Sequence, residues 1–116
     1  MEFYRELIRR YQEGFDVIVD YTYDHTHPAL IFNPNNYSID KIMQRIDSGE
    51  YEYFNLRIRV FFAGKLFNQG KIEHCLERSV DDMLVKDCDI IEEFIETLIM
   101  EAREDIDRFK TLIDKI

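Results

Sequence analysis

At 116 residues, 46% of them hydrophobic, the chain fits a single domain spanning 1–116 that can build a core without disulfide or metal staples. Its net charge of −9 excludes the clustered Lys and Arg that phosphate binding needs, so direct nucleic-acid binding is not expected. Two cysteines without a spacing motif, no apolar run near the ~20 residues of a membrane helix, and an N-terminus without a signal-type apolar core predict a cytoplasmic protein with reduced thiols.

Taken in chain order, Phe3, Tyr4, Leu7, Ile8 and Tyr11 recur at helical spacing before Gly14, which predicts an amphipathic helix over residues 2–13. Phe15, Val17, Val19, Tyr21 and Tyr23 then alternate with polar residues, the period of a half-buried strand, and residues 29–32 read as a short second strand after the turn ending at Pro28. Ser38 is placed to cap a helix whose Ile39, Ile42, Met43 and Ile46 share a face, and Gly49 ends it. Phe54, Leu56, Ile58, Val60 and Phe62 alternate with Asn55, Arg57 and Arg59 in the clearest strand. A bulge at Ala63-Gly64, a turn at 68–70 and an antiparallel strand over 71–77 follow. Ser79 then caps helix, with Asp81 and Asp82 in its first turn. The expected fold is α+β: a small antiparallel sheet of about four strands in an αββαββα order, with a long C-terminal helix packed on it.

That last helix carries most of the information. Ile91, Ile95, Leu98, Ala102, Ile106, Phe109, Ile113 and Ile116 follow steps of three and four, giving one seam on a helix of about 28 residues, roughly 42 Å long. Ile90, Phe94, Ile99 and Met100 widen the apolar face in the first half only. The stripe predicts that the first half covers the sheet and the second half the N-terminal helix. The alternative is that Ile106, Phe109 and Ile113 pack on another chain, a second copy or a partner's helix. Opposite the seam, Asp89, Glu93, Glu96, Glu104 and Asp107 share a face flanked by Glu92, Glu101 and Asp105. Twelve of the 24 acidic residues, but only five of the 15 basic ones, lie from Asp81 onward.

Candidate chemistry is sparse. His25 and His27 flank Thr26 beside Asp24 and would point the same way in an extended segment, but a metal needs a third ligand, with His74 and Cys75 the nearest in type. A plain turn is the expected reading, and no metal or cofactor is assigned. His74 and Cys75 are neighbours on a strand and face opposite ways, which excludes them as a nucleophile–base pair. Arg57 and Arg59 are expected to pair with Glu50 and Glu52. There is no phosphate-cradling Gly-rich loop, GxSxG, HExxH or CxxC, so no catalytic residue is assigned and a non-enzymatic protein is expected.

A short acidic α+β chain without a catalytic motif is similar in general character to phage-encoded antagonists of bacterial defence, among them anti-CRISPR and anti-restriction proteins, and to immunity proteins that neutralise nuclease toxins. The likeness is one of class, carried by no motif, and transfers no site residue. It implies a stoichiometric inhibitor whose acidic helix face, Asp89, Glu92, Glu93, Glu96, Glu104 and Asp107, meets a basic partner. The alternatives are an oligomeric phage accessory or scaffold protein built on the seam and a small metal-dependent hydrolase using His25 and His27.

Overall fold

The computed structural model describes residues 3–114. Strands β1 (Arg5–Gln12), β2 (Phe15–Tyr23), β3 (Glu52–Phe62) and β4 (Lys65–Glu77) form one antiparallel sheet in the order β1-β2-β3-β4. Helix α1 (Ile39–Asp47) lies in the β2–β3 connection, and α2 (Val80–Lys86) and α3 (Cys88–Asp114) follow the last strand. This is the α+β architecture the sequence predicts, with a long C-terminal helix on a four-stranded sheet. No described helix is long and apolar enough to cross a membrane.

The first element differs from its expected type: described residues of the 2–13 segment form an edge strand, not a helix. Two features account for this. Glu13 and Gly14 both have positive φ, 52° and 91°, the two-residue turn whose twist suits a hairpin, and this turn ties β1 directly to β2. The register also slips between Glu6 and Ile8, so Leu7 is an extra residue and both Leu7 and Ile8 pack on the core. A bulge in a strand thus imitates the i, i+3, i+4 spacing of a helix. The same turn chemistry recurs at Ala63 (φ 50°) and Gly64 (φ 80°), which join β3 to β4 where a bulge is expected.

Two further expectations are corrected. Residues 28–30 form a single 3-10 turn instead of a strand, because Pro28 starts it and the His27 ring accepts the Ala29 N–H at 3.1 Å. Residues 68–70 are strand, not turn: the Asn68 side chain donates to the Leu98 carbonyl (3.1 Å), and Gly70 lies beneath the Phe94 ring. Ser38 and Ser79 do cap α1 and α2, accepting from Lys41 N–H and Asp82 N–H.

The core lies between one face of the sheet and α2–α3. Val17, Val19, Phe54, Leu56, Ile58 and Val60 meet Val80, Met83, Ile91, Ile95, Leu98, Ile99 and Ala102, each buried. Full burial of one such side chain contributes about 1.5–3 kcal/mol. On the other face Asp20 is buried, its carboxylate held by Arg57 through two bonds (2.8 and 2.7 Å) and by Arg59 (2.9 Å). Tyr4 lies flat against the Arg57 guanidinium, 3.6 Å from ring centre to Cζ. These pairs replace the expected ones with Glu50 and Glu52. Glu52 instead accepts the Val80 N–H at 3.0 Å, at the start of α2.

Gly70 supplies a test of the packing between α3 and β4. A Cβ there would lie 2.4 and 2.6 Å from Phe94 ring atoms. Gly70→Ala should therefore cost about 1–3 kcal/mol in urea denaturation, the range for overpacking a well-filled site. In a Phe94→Leu background the cost should shrink, and equal costs in both backgrounds would exclude this contact as the cause.

Candidate functional site

α3 runs along the strands. Its Phe94 lies over Gly70 and its Leu98 meets Asn68, while on β1 its Glu92 meets Arg10 and its Arg103 meets the Glu13 carbonyl at 3.3 Å. The Glu13–Gly14 and Ala63–Gly64 turns stand at the same end of the sheet, as the pairings Asp16↔Phe61 and Phe62↔Lys65 require. Beyond those turns α3 continues with no sheet under it. Ala102 is its last fully buried residue and Ile106 is half-buried, whereas Phe109, Leu112 and Ile113 are 63%, 59% and 52% exposed. The described chain extends over 61 × 30 × 25 Å with a radius of gyration of 17.7 Å, against about 13 Å for a compact chain of this length. The expectation that this half covers an N-terminal helix fails because those residues are a strand. The seam residues Ile106, Phe109 and Ile113 remain uncovered or half-covered, and Ile116 lies outside the described residues.

The acidic residues of α3 divide into two groups. Glu92 turns toward the sheet and accepts two bonds from Arg10 (2.9 and 2.6 Å). Those hydrogen bonds hold its carboxyl below the ordinary value despite burial. Asp89, Glu93, Glu96, Glu104 and Asp107 are exposed. Among the described residues none of Glu93, Glu96, Glu101, Glu104 and Asp107 has an ion-pair partner. Arg108 reaches Asp105 at 3.9 Å. On the flank of α3, Ile90, Phe94, Thr97 and Leu98 line a shallow groove with Glu93 and Glu101. Ile90 is 58% exposed there.

A second cluster sits at the other end of the sheet, and sequence reasoning did not find it. Two residues of β4, Glu73 and His74, oppose the single Asn55 of β3, and His74 takes a left-handed backbone (φ 59°) with its N–H donated to Asn55 Oδ1 at 2.8 Å. This bulge turns the ring to Asp24, Nδ1 to Oδ2 2.6 Å, while Thr26 N–H donates to Asp24 Oδ1 at 2.8 Å. Tyr53 stacks on His74, and its hydroxyl is buried near Asp24 without reaching hydrogen-bond geometry. Burial, with the adjacent Asp24 carboxylate, pushes that hydroxyl up to about 12. The Asp24-His25-Thr26 spacing signals the local turn, but the His74 contact depends on a bulge that periodicity does not show.

His25 and His27 are not joined to a third ligand: among the described residues no group of three His, Cys, Asp or Glu side chains is placed to hold a metal ion. Cys75 is buried and 3.4 Å from the Ile72 carbonyl, and burial pushes its thiol up to about 11, so it stays protonated at neutral pH. Cys88 is exposed at the start of α3. A thiol reagent at neutral pH should therefore modify Cys88 in the native protein and Cys75 only after denaturation. Equal rates for both would contradict the burial of Cys75.

Asp24 has a definite pH signature. Burial raises its carboxyl pKa, but the hydrogen bonds from Thr26 and His74 outweigh burial and bring it below the ordinary 3.8. A lowered folded-state pKa means stability that is complete above the ordinary value and lost as pH falls through the lowered one. Asp24→Asn should lose about 1–3 kcal/mol at pH 7 and show a flatter decline of stability below about pH 4. Urea denaturation at pH 7 and pH 3 measures both; an acid limb as steep as the parent's would exclude the role.

No protein-family model matches this sequence, and no curated protein and no solved structure is found similar to it.

Proposed function

We propose that this chain is a non-enzymatic protein-binding module, a stoichiometric inhibitor that docks the acidic side of α3 on a basic, nucleic-acid-binding surface of its partner. The observation that carries the reading is the shallow groove on the flank of α3, lined by Ile90, Phe94, Thr97 and Leu98 with Glu93 and Glu101 at its margin, whose carboxylates have no ion-pair partner among the described residues.

Charge economy supports it. Several carboxylates elsewhere stand against cations, Asp20 against two arginines, Glu92 against Arg10 and Glu77 against Lys86, although Asp40, Asp47, Asp81 and Asp82 have no ion-pair partner among the described residues. Repulsion along one helix face costs stability, and here little internal compensation offsets it. A cationic partner would relieve that repulsion on binding and be steered to the surface from a distance. The apolar floor supplies contact area that survives at high salt, while the carboxylate margin supplies rate and selectivity. Exclusion of nucleic acid from the partner follows, because one acidic surface and a phosphate backbone compete for the same lysines and arginines.

The test is capture from a host lysate on the immobilised full chain, at about 50 and 500 mM salt, with heparin as polyanion competitor. The expected partner is a nucleic-acid-binding protein whose retention falls about tenfold or more at high salt or with heparin. It should fall similarly with the triple reversal Glu93→Lys, Glu96→Lys, Glu104→Lys. Retention indifferent to salt, heparin and charge reversal would overturn the reading.

A further inference from the structure

The free end of α3 carries a pattern that concerns a different surface. From Ala102 onward the seam runs Ala102, Ile106, Phe109, Ile113, in steps of four, three and four. It continues the line of Ile91, Ile95 and Leu98, which the sheet covers. One flank of that seam reads Arg103, Asp107, Lys110, Asp114, positive and negative in strict alternation. An antiparallel copy of the same segment places Ile106 across from Phe109 and the reverse, with each Ile113 arriving where the partner's sheet stops at the buried Ala102. In that register Arg103 approaches Asp114 and Asp107 approaches Lys110 along the flank. Asp107 and Lys110 of each chain then meet their opposites under a two-fold axis, while Arg103, 3.7 Å from Glu13 of its own chain, is shared between that carboxylate and Asp114.

The rest of the fold agrees with this direction and opposes the other. A parallel pair would put both sheets in the space between the two helices, because each sheet lies on the seam side of its own α3. In the antiparallel pair the sheets stand at opposite ends, and each partner helix takes up the seam where the sheet stops, at the Glu13–Gly14 and Ala63–Gly64 turns. There Phe62, packed against Phe15 and Phe67, is left 39% exposed at the end of β3.

We propose that the projecting end of α3 forms a homodimer by antiparallel pairing of residues 103–114 about a two-fold axis. Each chain contributes about 18 Å of helix, so the interface is small and the expected affinity is micromolar instead of nanomolar. The proposal uses the seam and its basic-acidic flank, not the groove beside Glu93, and stands or falls independently of the inhibitor reading.

Sedimentation of the full chain over about 5–500 µM tests it. The expected result is a monomer–dimer equilibrium whose dimer is more elongated than the monomer. Phe109→Glu should weaken association by about a hundredfold or more while leaving the fold intact, since Phe109 is exposed beyond the sheet; circular dichroism and thermal melting confirm that second condition. Asp107→Lys alone and Lys110→Asp alone should each weaken it about tenfold, and the double swap should restore it, because each residue faces the other in the partner. Glu93→Lys with Glu96→Lys should leave it unchanged. A monomer throughout, whose seam then serves some other partner, overturns the proposal, as does a dimer indifferent to Phe109→Glu. A double swap that fails to restore association overturns the antiparallel register.

Discussion

The apolar seam of α3 is longer than the sheet that covers it, and most of what distinguishes this protein depends on that mismatch. A helix of 27 residues is about 40 Å long, and the hairpin turns end the sheet near Arg103. Over the covered part, Ile91, Ile95, Leu98, Ile99 and Ala102 close the core against β3 and β4. Beyond Ile106, which still packs at the edge of the core, the repeat continues with Phe109 and Ile113 exposed. An uncovered seam with regular spacing is costly to leave in water, whereas a partner helix would cover it in the manner the sheet does farther back.

The electrostatics separate along the same helix. Carboxylates that face the sheet are neutralised, as the two-bond contact of Glu92 with Arg10 shows. On the open sheet face Asp20 is buried only because Arg57 and Arg59 bond it together, with Tyr4 stacked over one of them. Glu93, Glu96 and Glu104 have no such arrangement. Unpaired carboxylates therefore line the surface of α3 that faces away from the domain, while one flank of the projecting end has both signs in alternation. Two adjacent surfaces of one helix thus differ in their charge pattern.

The Asp24–His74–Tyr53 cluster shows how a local irregularity creates a contact with no counterpart in the pattern of residues. Asn55 and the left-handed His74 are parts of one bulge, and the ring reaches Asp24 only because β4 inserts a residue there. The bulge at Leu7 had the opposite consequence for legibility, since it made a strand resemble a helix. Both cases have one cause: an inserted residue shifts which face each following side chain occupies, and the shift is decided by the neighbouring strand.

Much was determined by the sequence alone. Period-two alternation in β2 and β3, serine caps on α1 and α2, and the three-and-four repeat of α3 are local signals, written in residues whose neighbours along the chain suffice to interpret them. Length, acidity and the absence of catalytic motifs also belong to the chain as such. The tertiary structure decided everything that depends on pairing: that the N-terminal segment is an edge strand, that residues 68–70 continue β4 under Phe94, that Asp20 and not Glu50 or Glu52 receives the two arginines, and that Glu92 is spent internally. It also decided where the cover of α3 stops. A hydrophobic repeat states that a face will be buried, but which surface buries it, and for how many turns, is set by the size of the sheet laid against it.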